Sequence, residues 1–498
     1  MNLLFRTDAT VAMGTGHAMR CLALAQACQD GGGKALFACS QLTTAVAQRL
    51  HAEDIEIARV KTTPGSIEDA IEVSELASRR ASEWVMVDGY QFNDDYHRQL
   101  REKGFKVLLI DDMGCGRYCA DLVLNPNLHA TEELYRSREP QTRVLLGPRF
   151  ALLRYEFQTW HHWRREIVPR PRKLLVTMGG SDPGNVTAGV LDALALLGTD
   201  NLEVRVIVGG SSPHLTFVEK RAAAIQGSIR ILRNPMNIPA LMAWADVAVS
   251  AAGSTCWELC FMGLPAVLID VAENQKRVGQ ELSRRGVALY AGSSGEVTPS
   301  GIAAAIKQLL ESSKVLSDMS RRGRELVDGR GTERVLAAMQ YGSLRLRRVE
   351  ESDCRLLWEW VNDPLVRAAS FSTEPVSWDN HVSWFRAKLA DHKSAQYVVE
   401  TGSRPVGQVR FQIQGDSAAV SVSLDSEFRG KGLGAVAVAM ATEDLFRTTP
   451  VIRADAFVKP GNTASLRLFN RAGFAQTEIT RLGDQEAIHF VLERKDIA

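Results

Sequence analysis

Short, mainly apolar runs alternate with longer amphipathic runs over the first third of the chain. Residues 2–5, 35–38, 84–87, 107–110 and 121–124 have the length of buried strands, and polar or turn residues follow each of them. The run 17–29 carries apolar residues at helical spacing. Strands that alternate with helices predict a parallel sheet with right-handed crossovers.

The same alternation starts again after Pro169-Arg170-Pro171-Arg172, a segment typical of a linker. Five further strands are predicted at 173–178, 204–208, 228–232, 247–250 and 266–269, and a charged amphipathic helical region at 314–340. We therefore predict two doubly wound, Rossmann-like lobes, residues 1–168 and 169–342. A substrate is expected in the cleft between them.

From residue 344 the pattern changes. It predicts a strand at 344–349, a helix at 353–361, a meander of strands at 397–400, 406–412 and 418–424, and a helix at 435–446. A strand at 453–458 and a helix that starts near Asn462 follow. Residues 343–498 are thus expected to form a third, mixed α/β domain.

Composition narrows the class of protein. Hydrophobic residues make up 45% and charged residues 23% of the chain, as in globular proteins, and the net charge is +1. Neither nucleic acid nor a membrane is therefore expected as a partner. The eight cysteines form no C-x-x-C pair, and no H-E-x-x-H occurs. We expect reduced thiols, a cytoplasmic location and no metal; the oligomeric state stays open.

A glycine-rich turn in the first lobe ends on a histidine. Gly14-Thr15-Gly16-His17 follows the first strand and opens a helix. The helix N-terminus disfavours the protonated imidazole, and a neutral imidazole can take a proton from water. The alternative is an ordinary turn with a solvated histidine. Five polar side chains are expected at the carboxyl edge of this sheet, where ligands bind: Asp8, His17, Tyr90, Asp112 and Asn125.

Two turns in the second lobe indicate a phosphate site. One contains Gly180 and Ser181, and the other is Gly253-Ser254-Thr255 at the start of a helix. Glu258, one turn into that helix, could accept both hydroxyls of a ribose, or could simply stabilise the helix start. Asn274 and Gln275 follow the strand at 266–269 and are expected at the same edge.

A third glycine-rich loop, Arg429-Gly430-Lys431-Gly432-Leu433-Gly434, precedes the helix at 435–446. Its open backbone N–H groups suit a pyrophosphate, and Arg429 and Lys431 add positive charge.

Residues 344–498 resemble the GCN5-related N-acetyltransferases (GNAT). The loop from Arg429 carries the likeness, with Asn462, Ser465 and the closing Gly473-Phe474. The resemblance implies acetyl-CoA as co-substrate, bound by Leu424, Arg429, Gly430, Lys431, Gly432, Leu433, Gly434, Asn462 and Ser465.

Two features refine this resemblance. Trp360-x-Asn362, Val366-Arg367 and His381-x-x-Trp384-Phe385 are similar to the subgroup that acetylates an amino-sugar nucleotide, and to some ribosomal-protein acetyltransferases. Many members carry a tyrosine that protonates the leaving thiolate, but Phe469 stands at that position here. Water or another group would then supply the proton, or the thiolate would leave unassisted.

A set of short motifs runs along both lobes: Arg6-x-Asp8, Gly14-x-Gly16-His17-x-x-Arg20-Cys21, Asp88-x-Tyr90, Asp111-Asp112, Gly179-Gly180-Ser181-Asp182, Gly253-Ser254-Thr255-x-x-Glu258 and Asn274-Gln275. With these motifs, residues 1–340 resemble the UDP-sugar hydrolases of pseudaminic acid biosynthesis, which cut UDP-2,4-diacetamido-2,4,6-trideoxy-β-L-altropyranose into UDP and the free sugar.

This second resemblance implies a two-lobed, GT-B-like fold with UDP mainly on the second lobe. His17 would be the base of a single inverting displacement, and Asp8 would orient its imidazole. Uracil would lie near residues 231–236, which include Met236. The other expected contacts to the substrate are Gly14, Gly16, Arg20, Tyr90, Gly180, Ser181, Gly253, Ser254, Thr255, Glu258, Asn274 and Gln275.

Together the two resemblances imply consecutive steps on one multifunctional chain: 4-N-acetylation of UDP-4-amino-4,6-dideoxy-N-acetyl-β-L-altrosamine, then hydrolysis. One alternative is another UDP-amino-sugar enzyme, a glycosyltransferase or epimerase, fused to an acetyltransferase. A second is a UDP-sugar sensor that regulates a protein N-acetyltransferase. The stereochemistry of the sugar, pseudaminic or legionaminic precursor, stays open.

Overall fold

A computed structural model describes residues 1–199, 201–342, 344–402, 404–430 and 432–494. The chain divides into two compact units, residues 1–335 and 336–498. Two parallel sheets lie in the first unit and one mixed sheet lies in the second. The predicted fold class is confirmed.

The first lobe is built on a seven-stranded parallel sheet. Its strands are β1 (Asn2–Thr7), β2 (Lys34–Cys39), β3 (Glu56–Arg59), β4 (Trp84–Asp88), β5 (Lys106–Ile110), β6 (Leu122–Asn125) and β7 (Arg143–Leu146). Its helices are α1 (Gly16–Asp30), α2 (Thr44–Ala52), α3 (Ile67–Arg79) and α4 (Asp94–Glu102). The strand order is β3-β2-β1-β4-β5-β6-β7. The order reverses between β1 and β4, so the loops after these two strands flank a crevice.

The second lobe repeats this arrangement with six strands. They are β8 (Lys173–Thr177), β9 (Glu203–Val208), β10 (Ser228–Arg233), β11 (Val247–Ala251), β12 (Ala266–Asp270) and β13 (Leu289–Ser293). The helices are α5 (Val186–Leu197), α6 (Leu215–Ala223), α7 (Ile238–Trp244), α8 (Thr255–Phe261), α9 (Glu273–Arg284), α10 (Pro299–Leu310) and α11 (Ser313–Leu326). The boundary between the two units falls inside the next helix, α12 (Gly331–Tyr341). The order is β10-β9-β8-β11-β12-β13, and it reverses between β8 and β11. The turns after these strands therefore lie side by side.

The segment after β7 crosses to the second lobe before the predicted linker is reached. Leu153 and Phe157 are buried in the same apolar cluster as Trp257 and Phe261 of α8. Arg165 then donates to the carbonyl oxygens of Met242, Ala245 and Met262, which lie at the ends of α7 and α8. A buried guanidinium there satisfies carbonyl groups that the helices leave open.

The second unit has a seven-stranded mixed sheet in the order β14-β15-β16-β17-β18-β20-β19. The strands are β14 (Leu344–Arg348), β15 (Ser394–Thr401), β16 (Arg404–Gln414), β17 (Ser417–Leu424), β18 (Arg453–Val458), β19 (Ala475–Leu482) and β20 (Gln485–Glu493). The helices are α13 (Cys354–Val361), α14 (Pro364–Ala369), α15 (Trp378–Ala390), α16 (Leu433–Thr448) and α17 (Thr463–Arg471).

The two faces of this mixed sheet carry different helices. Tyr397 and Phe411 pack with Val438 of α16 and Phe469 of α17 on one face. Val398 packs with Leu357 of α13 and Phe385 of α15 on the other face. The alternation of side chains along a strand accounts for this division.

The mixed sheet opens between two of its strands. The parallel strands β17 and β18 pair only where Ser417–Ala419 face Arg453–Asp455. Beyond Ala419 they diverge, so the backbone of the rest of β17 is open on that side to an extended ligand.

None of the described helices is long and apolar enough to cross a bilayer.

Candidate functional site

The loops at the carboxyl ends of both parallel sheets line one cleft with a volume of about 530 Å³. Most of the side chains and glycines predicted to meet the sugar nucleotide lie in its lining. They are Gly14, Gly16, His17, Arg20, Tyr90, Gly180, Ser181, Gly253, Ser254, Thr255, Glu258, Asn274 and Gln275. Met236 lies in an adjoining pocket with Arg49 and Asn234. In each sheet the reversal of strand order opens a crevice between these loops.

His17 lies in the first turn of α1 and is 8% exposed. Its Nδ1 is 2.6 Å from Oδ1 of Asp88. Because a carboxylate only accepts, we assign the ring proton to Nδ1, which donates to Asp88. Nε2 then carries a lone pair, and it has no hydrogen-bond partner in the described part of the chain. Such an imidazole can accept a proton from a molecule in the cleft.

Arg20 fixes the carboxylates around His17. It donates to both oxygens of Asp88, at 2.6 and 2.7 Å, and to both oxygens of Asp112, at 2.8 and 2.9 Å. Burial alone would raise the pKa of Asp88, but the charge of Arg20 and the hydrogen bonds from Arg20 and His17 outweigh it and hold that pKa well below its usual range. Asp88 is therefore ionised at neutral pH and can keep the imidazole oriented.

The prediction that Asp8 orients His17 is wrong. Asp8 pairs with Arg6 at 2.8 Å and accepts the backbone N–H groups of Ser40 and Gln41. It does not line the cleft. Asp8 directly follows β1, so it reaches the turn after β2. Asp88 ends β4 opposite Thr7, and this register brings it to α1.

Asn125 was also expected at the edge of the cleft, and the structure places it behind the lining. Its Nδ2 donates to the hydroxyl of Tyr135 at 2.7 Å. Asn127, two residues further on, lines the cleft instead and donates to Oδ1 of Asp112 at 3.2 Å. The turn after β6 therefore supplies a cleft residue two positions later than predicted.

Tyr90 and Asn274 join the two lobes across the cleft. The Tyr90 hydroxyl donates to Oδ2 of Asp112 at 3.2 Å and accepts from Nδ2 of Asn274 at 2.7 Å. Burial and the nearby Asp112 charge raise the pKa of Tyr90 well above its usual value, so the hydroxyl keeps the proton that it donates.

In the second lobe, Gly180 allows a close approach between lobes, because a Cβ there would overlap the side chain of Thr15.

Asp182, which belongs to the motif Gly179-Gly180-Ser181-Asp182, caps α5. It accepts the backbone N–H groups of Val186 and Thr187 at 2.8 and 3.0 Å. Its role in the structure is to stabilise the helix start.

Glu258 lies in α8 and is paired with Arg154, a residue that the sequence did not indicate. Nε and Nη2 of Arg154 both donate to Oε1, at 3.1 and 2.8 Å. Oε2 takes no hydrogen bond from the described residues. Burial raises the pKa of Glu258 more than Arg154 lowers it. One carboxylate oxygen is thus free to accept a hydroxyl from a ligand.

The glycine-rich loop of the second unit opens α16 as predicted from its spacing. Gly430 and Gly432 have φ angles of +72° and +79°, and Gly432 caps the helix without a side-chain hydrogen bond. The first N–H groups of α16 are therefore available to an anion. Leu433 and Gly434 are buried in the first turn. Lys431 lies outside the described residues.

Arg429, which was predicted to add positive charge, takes part in an ion pair, and its Nη2 is buried without a hydrogen-bond partner among the described residues. Its Nη1 pairs with Asp363 at 2.8 Å, and its Nε donates to the carbonyl oxygen of Leu424 at 3.0 Å. The carboxylate neutralises the guanidinium, so Arg429 holds the end of β17 against α14's N-cap residue. This pairing joins positions 66 residues apart, which spacing along the chain could not reveal.

The last two predicted contacts to acetyl-CoA lie at the start of α17. Oδ1 of Asn462 accepts the backbone N–H of Ser465 at 3.0 Å and caps this helix. Phe469, one turn later, is 4% exposed and packs against Phe474 and Phe490. No acidic group can act from that position.

Within the described residues, no group of three or more His, Cys, Asp or Glu side chains is arranged to hold a metal ion.

Comparisons with known proteins agree with this division of the chain. Residues 343–475 match the family model of the acetyltransferase (GNAT) domain, and residues 174–330 match that of the glycosyltransferase family 28 C-terminal domain. The structure of MurG from Acinetobacter baumannii is similar with a TM-score of 0.50 and 16% identity, covering 68% of this chain and 99% of MurG. The first unit thus has a GT-B-like fold.

Two curated relatives extend the comparison. The UDP-2,4-diacetamido-2,4,6-trideoxy-beta-L-altropyranose hydrolase of Campylobacter jejuni is 26% identical over 288 residues, covering 57% of this chain and 97% of that protein. An uncharacterized protein of Methanocaldococcus jannaschii is 22% identical over 504 residues, covering 96% of this chain and 97% of that protein. The chain is therefore an enzyme in which a region similar to UDP-sugar hydrolases is fused to a GNAT acetyltransferase domain. The predicted fusion is confirmed.

Proposed function

We propose that this chain carries out two consecutive steps of pseudaminic acid biosynthesis. The second unit acetylates the 4-amino group of UDP-4-amino-4,6-dideoxy-N-acetyl-β-L-altrosamine with acetyl-CoA. The first unit hydrolyses the resulting UDP-2,4-diacetamido-2,4,6-trideoxy-β-L-altropyranose to UDP and the free sugar, with inversion. The observation that carries the proposal is the Asp88-oriented imidazole of His17 in a cleft whose other wall suits a nucleoside diphosphate.

Hydrolysis needs one base and a site for the departing UDP. His17 Nε2 takes a proton from water, which attacks the sugar carbon from the face opposite UDP. Asp88 stabilises the imidazolium that forms. General-base assistance of this kind contributes about 10²- to 10⁴-fold to the rate.

UDP binding is supported by the second lobe. Gly253, Ser254 and Thr255 form the turn at the start of α8 and line the cleft. Backbone N–H groups and hydroxyls there suit the charge that the diphosphate gains as it leaves. Oε2 of Glu258 is free for the ribose, and the pocket beside Met236 lies next to the cleft and suits the base.

Acetyl transfer is supported by the open sheet of the second unit. The diverging edge of β17, which ends at Leu424, can pair with the extended, amide-containing arm of acetyl-CoA. The N-terminus of α16 suits its pyrophosphate. Because Phe469 replaces the usual tyrosine, the thiolate leaves unassisted or takes its proton from water.

Product analysis tests both steps at once. We expect purified protein with the UDP-4-amino sugar and acetyl-CoA to give CoA, UDP and the free diacetamido sugar in equal amounts by mass spectrometry. His17→Ala should stop at the acetylated UDP-sugar, because acetyl transfer does not use His17. His51→Ala, an exposed histidine of α2, is the matched control and should give all three products.

The alternatives predict other products. A glycosyltransferase or epimerase would release no free sugar without an acceptor. A sensor that regulates a protein acetyltransferase would acetylate a peptide and leave the UDP-sugar unchanged. Either result would overturn the proposed function.

A further inference from the structure

The sheet face covered by α13–α15 carries a row of polar side chains in the second unit. Arg410 of β16 lies between Gln396 of β15 and Ser421 of β17 in the strand register. The neighbouring positions Val409 and Phe411 point into the apolar core on the opposite face. Polar side chains between a sheet and a layer of helices need hydrogen-bond or ionic partners, because buried polar groups are costly when unpaired.

Two cations in this region have no carboxylate partner among the described residues. The Arg410 guanidinium lies over the ring of Trp384, 5.0 Å from its centroid, and takes part in no hydrogen bond or ion pair with a described residue. Within the described part of the chain, Arg367 of α14 donates only to the carbonyl oxygen of Glu374 and the hydroxyl of Ser370, at 3.1 and 3.2 Å.

The surroundings of Arg410 reinforce the need for an anion. Burial lowers the pKa of Arg410, and the nearby charge of Arg367 lowers it further because two guanidinium cations repel one another. Nε of Arg367 and both amide atoms of Gln396 are buried without a hydrogen-bond partner among the described residues. A bound anion would relieve the repulsion and could take hydrogen bonds from both guanidinium groups.

The position of this cluster relates it to the acetyl-transfer site. Ser421, opposite Arg410, is two residues beyond Ala419, where the pairing of β17 with β18 ends. The cluster therefore lies beside the start of the opening in the sheet. It is on the face opposite α16, whose N-terminus suits the pyrophosphate of acetyl-CoA. An anion here would reach the opening from the face opposite the proposed pyrophosphate site, which leaves this face for the acceptor.

We propose that Arg410 and Arg367 bind the diphosphate of the acceptor, so that the acetyltransferase domain selects an amine carried by a nucleoside diphosphate. This inference rests on the proposed function for its substrate. It also excludes polyamines as acceptors, because two uncompensated guanidinium groups repel a polycation.

Steady-state kinetics of the full-length protein test the proposal. Arg410→Gln should raise the KM for the UDP-4-amino sugar about 10- to 100-fold, the usual effect of losing a charge-assisted contact. The KM for acetyl-CoA should stay within about threefold. Arg410→Lys keeps a cation over Trp384 and should recover part of the loss. An equal rise in the KM for acetyl-CoA would assign the cluster to the phosphates of CoA and overturn the proposal.

The chain offers a matched control on the same strand. Arg404 of β16 is exposed and paired with Glu427 at 2.8 Å. Arg404→Gln removes a guanidinium from the same domain without touching the cluster, and should leave both KM values unchanged. If it raised the KM for the UDP-sugar as much as Arg410→Gln, the effect would be one of general charge, contrary to the proposal.

Calorimetric titration with UDP separates this inference from the proposed function. We expect two UDP per wild-type chain, one in each unit, and one per chain in Arg410→Gln. That result would support the subsite even if no UDP-amino sugar were acetylated. One UDP per chain in both proteins would overturn it, even if acetylation were observed.

Discussion

A single short hydrogen bond decides which nitrogen of His17 faces the cleft. Asp88→Asn keeps the size of the side chain, but its amide can donate to Nδ1 and so favour the tautomer with the proton on Nε2. We predict that the rate of UDP-sugar hydrolysis falls about 10²- to 10⁴-fold, while UDP affinity changes little. Asp95→Asn, on the exposed side of α4, is the control. Hydrolysis within threefold of wild type would show that Asp88 has no orienting role.

A second histidine of the first lobe gives a prediction about stability. His97 is 2% exposed, and neither ring nitrogen has a hydrogen-bond partner among the described residues. Burial lowers the pKa of His97 from 6.5 to about 4. The unfolded chain therefore binds this proton first, and stability falls as the pH drops from about 6.5 towards 4.

Replacement of His97 tests that dependence. In His97→Leu, the loss of unfolding free energy between neutral pH and about pH 4 should be smaller by about 3 kcal/mol. Urea unfolding of the first unit at several pH values measures it. An unchanged pH dependence would mean that the buried imidazole does not titrate in this range.

Single site residues could be predicted from the sequence only where they belong to a local motif. His17 follows a Gly-x-Gly turn, and its position in the cleft lining agrees with that pattern. Asp88 lies 71 residues away, and only the pairing of β1 with β4 brings it to the imidazole. Asp8 is nearer to His17 along the chain, but nearness along the chain is a poor guide to contacts in a parallel sheet. Arg154 beside Glu258 was missed for the same reason.

At the scale of elements, the start of α16 allows a test of the acetyl-CoA site. Gly432→Ala places a Cβ where no described atom lies within 4 Å but where a pyrophosphate would approach. The φ of +79° also makes this change cost about 1 kcal/mol in stability. We predict at least a tenfold rise in the KM for acetyl-CoA, because a phosphate cannot then contact the helix N-terminus.

A control variant at a second glycine separates the effect of backbone strain from the effect on acetyl-CoA binding. Gly415, in the turn between β16 and β17, has a φ of +64° and equally open surroundings. Gly415→Ala should lose similar stability in thermal denaturation with an unchanged KM for acetyl-CoA. If Gly432→Ala and Gly415→Ala had the same KM for acetyl-CoA, the loop that contains Gly432 would be excluded from acetyl-CoA binding.

The central strands were predictable because each is a continuous buried run. Among the described strands of the two parallel sheets, three were not predicted: β3, β7 and β13. All three lie at the edges of their sheets, and most of their side chains are only partly buried. An edge strand covered on fewer sides needs no apolar run, so periodicity gives little sign of it.

At the scale of the whole chain, the change from a repeated strand–helix alternation to a meander was enough to predict two parallel lobes and a mixed domain. The sheet orders and the crossing of residues 148–163 to the second lobe were not predictable, since they depend on pairings between distant segments. Under the proposed function, two active sites on one chain would raise the local concentration of the acetylated intermediate at the hydrolase.

The central claim is that water activated by His17 attacks the sugar carbon while UDP leaves whole. Hydrolysis of the acetylated UDP-sugar in H₂¹⁸O, followed by mass spectrometry of both products, tests it most directly. The account predicts one ¹⁸O atom in the free sugar and none in UDP. Label in the β-phosphate of UDP would show attack at phosphorus and contradict it.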